Sequence, residues 1–266
     1  MAAIRLAVQR AAAQRAVVAV AALVTVLGCA TLATMATVDV GIDRFAVPVA
    51  LGRVPVADVR LQVHADLDGR PLTPAVDALA AVRAETFGRQ PERTTLAVAS
   101  QLHQVPRPGV YYPPMVYLGD YDGVGDHVRL LTGRWPATGP AGGAGGGGPV
   151  EVAVPLAAAR GLGLTVGRVV LVPQAQSAAR LSVRVVGVFA VTDPGGGYWL
   201  ADHLHGDGFA PAWPIPGAPY QVAPLYGPLL TAPGVFAAGT VPASEASWTT
   251  VPDFRDLAPA DLAALR

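Results

Sequence analysis

The longest apolar run in the chain lies at residues 16–38 and contains no charged side chain. As a helix it would reach about 34 Å, enough to cross a hydrocarbon core of about 30 Å. The preceding residues 1–15 carry three arginines and predict a basic helix on the cytoplasmic side, because basic flanks stay inside. The pattern therefore predicts one cell-membrane span at 16–38, followed by an extracytoplasmic domain at 39–266.

Three other interpretations of this run are open. A cleaved signal peptide fits the small residues near 33–36, but its apolar core is usually shorter, about 7–15 residues. A lipid anchor fits Cys29, which follows Val-Leu-Gly as in a lipobox, but the residues after Cys29 stay apolar where a lipidated end becomes polar. A buried helix of a soluble domain fits least well, because the run is so long. The length favours the membrane span.

Alternating apolar and polar positions predict the strands of the outer domain. The alternation is clearest at residues 56–67, where His64 falls on the polar side of the predicted strand. Prolines and glycines recur across residues 209–242 and predict only short strands there, at 226–231 and 235–237. The other predicted strands lie at residues 94–104, 115–118, 150–154, 169–173, 181–192 and 246–251, with 169–173 and 181–192 as a hairpin.

Two helices are predicted among these strands. The first lies at residues 75–86, with Thr73 as N-cap and Pro74 in the first helical position. Its expected buried stripe is Val76, Leu79, Ala80 and Ala84. The second is short, at residues 155–161, with proline at its start and glycine at its end. A third helix is expected to begin within residues 258–265, near the end of the chain. Strands with short helices predict an α+β domain.

Composition narrows the functional classes. Hydrophobic residues make up 52% of the 266, charged residues 14%, and the formal net charge is zero. Nucleic-acid binding is not expected, since it needs a concentrated basic face. The single cysteine excludes an intramolecular disulfide. All 19 basic residues are arginine, which indicates a high-GC genome such as that of an actinobacterium.

The candidate catalytic motif is His203-Leu204-His205-Gly206-Asp207, which follows Asp202. His-x-His-x-Asp begins the zinc motif of metallo-β-lactamase-type hydrolases, because imidazole and carboxylate groups are zinc ligands. The motif continues with histidine, where this chain has Gly208. His64, His103 and His127 are the histidines left to complete a site. A polar loop is therefore the favoured interpretation.

Other site motifs are weaker. Residues 120–126 carry three aspartates around two glycines, but they lack the terminal glutamate of a calcium loop and predict a turn. The glycine-rich residues 139–149 lack the Gly-Lys-Ser/Thr ending of a phosphate-binding loop and predict a flexible surface loop. No serine lies in a Gly-x-Ser-x-Gly elbow. We therefore assign no catalytic, cofactor-binding or metal-binding residue.

Several short motifs occur in a fixed order across residues 128–200. They are Gly133-Arg134-Trp135-Pro136, Glu151-Val152-Ala153-Val154, Leu162-Gly163-Leu164-Thr165-Val166-Gly167, Val185-Val186-Gly187-Val188-Phe189 and Tyr198-Trp199. Each motif is short by itself. Their order and spacing, after a basic N-terminus and one apolar run, resemble the periplasmic core domain of FtsX/MacB-like ABC transporter permeases.

The resemblance implies the N-terminal part of a permease subunit that has no enzyme activity or cofactor of its own. It implies a cytoplasmic ABC ATPase as partner, contact with membrane lipid, an extracytoplasmic protein or lipid substrate, and a dimeric permease in the full-length form. The other membrane helices of such a permease are missing, so we expect the chain to be a fragment. A single-pass or lipid-anchored extracytoplasmic binding module is the alternative.

Overall fold

The computed structural model divides the chain into two compact units, residues 1–54 with 254–266 and residues 55–253. The residues that it describes are 23–34, 60–87, 92–137, 148–173 and 180–253. The predicted basic helix, most of the glycine-rich segment and the predicted C-terminal helix lie outside these ranges.

In the first unit, residues 23–34 are helical and their side chains are exposed. The hydroxyls of Thr31 and Thr34 donate to the carbonyls of Leu27 (2.9 Å) and Ala30 (2.7 Å), which satisfies these polar groups within the helix. Both ends of the predicted 16–38 span lie outside the described residues. Among the helices of the described ranges, none has the length and apolar character needed to cross a membrane. The span stays a prediction.

The second unit is built on an eleven-stranded mixed sheet. The strands are β1 Leu61–Asp66, β2 Glu92–Ala99, β3 His103–Gln104, β4 Met115–Tyr121, β5 Val128–Gly133, β6 Val150–Pro155, β7 Val169–Pro173, β8 Arg180–Val191, β9 Phe209–Ile215, β10 Ala218–Thr231 and β11 Glu245–Pro252. Their order in the sheet is β1-β11-β2-β4-β10-β6-β8-β5, and three further strands pair with members of this series: β3 with β4, β7 with β8 and β9 with β10. The pairs β4–β10 and β6–β8 are parallel, and the other pairs are antiparallel.

Helices are few beside this sheet. In the described part of this unit the helices are α1 Leu72–Phe87, α2 Leu156–Leu162 and two 3-10 helices, Val124–Asp126 and Gly197–Ala201. The fold is thus mixed helix and strand, as predicted, but sheet dominates it more than the sequence indicates. The predicted strands at 150–154 and 246–251 and the hairpin of 169–173 with 181–192 are confirmed, each within about one or two residues.

The largest difference from the sequence prediction is at residues 209–242. This segment forms the hairpin of β9 and the fourteen-residue β10, and residues 235–237 lie in a turn rather than a strand. Pro219, Pro224 and Pro228 each fall at a break in the register of β10, where the ladder needs no N–H donor. Irregularities of this kind let a proline-rich sequence build a central strand.

The predicted strand at residues 94–104 is two strands. β2 ends at Ala99 and β3 starts at His103. Between them the Ser100 hydroxyl donates to the carbonyl of Gln101 (2.8 Å) and accepts the N–H of Leu118 (3.0 Å). This side-chain bonding replaces ladder bonds and turns the chain so that β2 and β3 both pair with β4.

α1 starts earlier than predicted. It begins at Leu72, so Thr73 lies inside the helix and is not its N-cap. Pro74 is tolerated because it falls in the first turn, where a missing N–H breaks no intrahelical bond.

The buried side of α1 also differs from the prediction. Leu72 and Leu79 are buried, and Ala75 and Arg83 are half-buried. The Arg83 Nε donates to Glu92 at the start of β2 (2.7 Å), which turns this side of the helix toward the sheet. Of the predicted stripe only Leu79 is buried, and the other members are exposed: Val76, Ala80 and Ala84.

α2 is shifted by one or two residues from its prediction. Pro155 is its N-cap and not its first helical residue, and Gly163, not Gly161, ends it in the left-handed conformation (φ 64°). Leu162 therefore belongs to the helix, where its side chain is buried with Ala158.

One face of the β1–β11–β2 ladder packs into the main core. Leu96, Ala246 and Trp248 lie there with Leu72 and Leu79 of α1. Because side chains alternate along each strand, the opposite face of this ladder is polar. That polar face carries the candidate site.

Candidate functional site

Two histidines and two carboxylates gather at one end of the β1–β11 ladder. Antiparallel pairing places Asp66 directly opposite Glu245. His64 precedes Asp66 by two residues, so both side chains lie on the exposed face of β1. His203 reaches Glu245 from the loop that follows the second 3-10 helix. We call these four residues the histidine–carboxylate cluster.

Glu245 is the centre of this cluster. Its Oε1 lies 2.8 Å from the Nε2 of His203, and its Oε2 lies 3.6 Å from the Nε2 of His64. The same His64 nitrogen lies 3.4 Å from the Oδ1 of Asp66. The side chain of His64 is 52% exposed and that of Glu245 is 20% exposed. One carboxylate thus bridges two imidazoles at the border between core and solvent.

The loop that presents His203 is organised by Asp202. The Oδ2 of Asp202 accepts the backbone N–H groups of Leu204 (3.2 Å) and Gly206 (2.8 Å). Gly206 has φ 83°, and a Cβ at this position would lie 2.8 Å from the ring of Trp199. The loop therefore requires glycine there, and its tight closure fixes the backbone on either side of His203.

Asp202 is itself a buried anchor. Its Oδ1 accepts the hydroxyls of Tyr117 (2.6 Å) and Tyr121 (2.8 Å), and the residue is 3% exposed. Burial raises the pKa of both tyrosines well above the ordinary value, and the negative charge of Asp202 adds to this rise. Both hydroxyls therefore stay protonated and donate. Asp202 connects the loop to β4 and is a structural residue.

His203 is held by charge as well as by packing. Burial by itself would lower its pKa, but the hydrogen bond and charge of Glu245, with the charge of Asp202, raise the pKa overall. The imidazole lies edge-on to the rings of Tyr117 (4.9 Å between centroids) and Trp213 (6.0 Å). Together these contacts aim the Nε2 of His203 at the Glu245 carboxylate.

The His-x-His-x-Asp motif does not form a single centre. His205 adopts a left-handed backbone (φ 50°), and the side chains of His205 and Asp207 are exposed. The motif contributes His203 to the cluster, where its partner is Glu245. Sequence reasoning missed Asp66 and Glu245. The alternation in β1 was the available signal for Asp66, since it puts that residue on the same side as His64.

Residues 120–126 form an Asp-stabilised turn, as the favoured interpretation predicts. The Oδ2 of Asp120 accepts the N–H of Gly234 (2.8 Å), and the Oδ2 of Asp122 accepts the N–H of Leu96 (3.1 Å). Burial raises the pKa of Asp120. The hydroxyl of Tyr198 donates to the Asp122 carbonyl (2.8 Å). The side-chain oxygens of Asp120 and Asp122 named above therefore accept hydrogen bonds from the protein, which join the turn to neighbouring segments.

His103 is a buried core histidine. Its Nδ1 lies 2.8 Å from the Pro173 carbonyl, so the neutral ring donates there, and its Nε2 is buried without a hydrogen-bond partner among the described residues. Burial lowers the pKa of His103, and the bond to Pro173 offsets part of that effect. A proton on Nε2 would be a buried, unpaired donor. His103 therefore links β3 to β7 in its neutral form.

We expect His103 to make the protein less stable in acid. Its folded pKa lies below the unfolded value of 6.5, so below about pH 6.5 the unfolded chain binds more protons and the free energy of unfolding falls. Melting temperatures of the full-length chain at about pH 7.5 and about pH 5 should show this loss. His103→Gln should reduce the loss, whereas His127→Gln, at a partly exposed site, should leave it unchanged. Equal losses in both variants would contradict this role of His103.

Four of the five short motifs of residues 128–200 meet in one part of the sheet, and the fifth, Tyr198-Trp199, lies on the second 3-10 helix. The four lie on or directly after β5, β6, α2 and β8, and Gly133 pairs directly with Gly187. A Cβ on Gly133 would overlap the Val186 carbonyl oxygen, and a Cβ on Gly187 would overlap the Arg134 carbonyl oxygen. Both glycines are therefore required by the close approach of two backbones. We call this part of the unit, residues 128–137, 148–173 and 180–191, the motif subdomain.

An ion pair and a capped helix complete the motif subdomain. The Arg134 guanidinium binds both oxygens of Glu151 (2.8 and 2.5 Å) and lowers the pKa of that carboxyl. Gly163 ends α2, and the N–H of Gly167 donates to the Val185 carbonyl (2.8 Å). The four motifs of this subdomain thus each contribute to one folded region. The apolar motif positions fill its core: Val152, Val154, Leu162, Leu164, Val185 and Phe189.

Comparisons with known proteins add little beyond the geometry. No family model and no curated protein matches the chain. Among solved structures, it is similar to a domain of a protein from Porphyromonas gingivalis that is provisionally described as a permease. The identity is 12%, the match covers 74% of this chain and 76% of that chain, and the TM-score is 0.31.

Proposed function

We propose that this chain is the N-terminal part of an ABC transporter permease subunit of FtsX/MacB-like type. In this proposal residues 16–38 anchor it in the membrane, and the unit at residues 55–253 is its extracytoplasmic core domain. The domain would relay the cycle of a cytoplasmic ABC ATPase to an extracytoplasmic protein or lipid. The chain itself would carry no enzyme activity, and the complete permease would be a dimer.

The observation that carries the proposal is the convergence of the motif residues. Gly133 of β5 faces Gly187 of β8, and Arg134, directly after β5, binds Glu151 of β6, the strand on the other side of β8. The proposal rests on these residues, and the Porphyromonas gingivalis domain carries no part of it.

A relay domain needs stiffness, and the arrangement of the sheet offers it. β8 pairs with β5, β6 and β7, while β10 pairs with β4, β6 and β9, so two long strands tie the unit together. A displacement at one edge would be transmitted through backbone hydrogen bonds and close-packed side chains. This stiffness supports a mechanical role for the unit.

The alternative is a free-standing binding module on a single membrane or lipid anchor. The apolar run and Cys29 are compatible with it. Sequencing the genomic DNA beyond Arg266 and the neighbouring genes separates the two. A permease predicts further apolar spans in the same reading frame and an adjacent ABC ATPase gene. A stop codon with no ATPase gene nearby would contradict the permease proposal and favour the binding module.

A further inference from the structure

Three residues of the histidine–carboxylate cluster have ligand atoms close enough together to surround one metal ion. A tetrahedral ion with bonds of about 2.0–2.1 Å holds its ligand atoms about 3.3–3.4 Å apart. The Nε2 of His64 lies 3.4 Å from the Oδ1 of Asp66 and 3.6 Å from the Oε2 of Glu245. All three ligand atoms lie within 4.8 Å of one another. Small rotamer adjustments would bring them to bonding geometry.

The backbone holds these ligands on a firm support. His64 and Asp66 are alternate residues of β1, and Glu245 lies on β11 directly opposite Asp66. Regular ladder pairing continues from this end through Leu61 and Thr250. Ligands on paired strands are placed more reliably than ligands on loops.

His203 adds the support expected around a metal ligand. It occupies the Oε1 of Glu245 at 2.8 Å and leaves Oε2 facing His64. Hydrogen bonds of this kind orient a coordinating carboxylate. His203 is fixed in turn by the Asp202 loop and by the rings of Tyr117 and Trp213.

We propose that His64, Asp66 and Glu245 bind one divalent first-row transition ion, with Zn²⁺ as the preferred species, and that His203 is a positioning residue for Glu245. One imidazole and two carboxylates suit zinc better than calcium or magnesium, which prefer all-oxygen sets. The exposure of His64 leaves the fourth position to water or to a group on a partner. This inference does not depend on the proposed function.

The test uses the metal-free full-length chain, titrated with Zn²⁺ by calorimetry and with Co²⁺ by visible absorption. We expect one Zn²⁺ per chain and a Co²⁺ spectrum of tetrahedral type. His64→Ala and Glu245→Gln should each weaken Zn²⁺ binding by about tenfold or more, because each removes a ligand. Ca²⁺ at the same concentration should give no binding heat.

Three further variants separate the loss of the site from general damage to the fold. His205→Ala removes an exposed histidine of the same loop and should leave the Zn²⁺ affinity unchanged. His203→Ala should weaken binding by about tenfold, and His203→Gln, which keeps a donor for Glu245, should restore part of the loss. Absence of Zn²⁺ binding, equal Ca²⁺ binding, or an equal loss in His205→Ala and His64→Ala would overturn the proposal. Matching melting temperatures of the metal-free variants establish that each is folded.

Discussion

Replacing Asp202 with alanine should lower the free energy of unfolding by about 3–5 kcal/mol. The carboxylate accepts four hydrogen bonds, from the hydroxyls of Tyr117 and Tyr121 and the N–H groups of Leu204 and Gly206. Alanine would leave all four donors buried without that acceptor, at about 1–3 kcal/mol each before water or small shifts compensate. Denaturant unfolding of the full-length chain measures the loss.

Two variants define the cause of this loss. Asp207→Ala removes an exposed carboxylate of the same loop and should change stability by less than about 0.5 kcal/mol. Asp202→Asn keeps the side-chain shape and one acceptor oxygen but turns an amide N–H₂ toward backbone donors, so its loss should be intermediate. A loss below about 1 kcal/mol for Asp202→Ala would show that the carboxylate is not the anchor of this loop.

Replacing Gly133 with alanine should cost about 3 kcal/mol or more. The residue has φ 80°, and an added Cβ would overlap the Val186 carbonyl oxygen and lie 2.9 Å from the Cα of Gly187. Those atoms belong to the backbone of β8, so they cannot move away as a flexible side chain would. The strand pair at the centre of the motif subdomain would have to separate locally.

Gly123→Ala is the matched control, because Gly123 also has a positive φ (71°) but open space around its Cβ position. It should cost only the left-handed backbone penalty, about 1 kcal/mol. The difference between the two variants in denaturant unfolding isolates the steric term. Equal losses of unfolding free energy in the two variants would mean that the backbones of β5 and β8 are farther apart at Gly133 than the structure shows.

Sequence-based prediction works best for strands whose run of apolar residues is not interrupted by proline. β7, β8 and β11 carry regular runs of valine and other apolar residues, and their predicted limits differ from the structure by about one or two residues. Only residues 226–231 of β10 are predicted as a strand, because Pro219 and Pro224 contradict a strand unless each lies at a register break. Such breaks depend on the partner strands, which a local pattern does not contain.

The candidate site was predictable only in part. The alternation of β1 places His64 and Asp66 on one face, and the histidine motif draws attention to His203. Glu245 could not be found this way, because its role comes from the pairing of β1 with β11, the first and last strands in chain order.

The predicted buried stripe of α1 is wrong for a related reason. Alanines and valine fit several faces, and the ion pair of Arg83 with β2 selects one of them.

The permease proposal is tested most directly by purifying the native gene product, with an affinity tag, from solubilised membranes of the source organism. The proposal predicts that the protein is in the membrane fraction and that an ABC ATPase co-purifies in a stoichiometric amount with ATP-hydrolysing activity. The untagged strain is the control. Recovery from the membrane without any ATPase, or recovery in the soluble fraction, would contradict it.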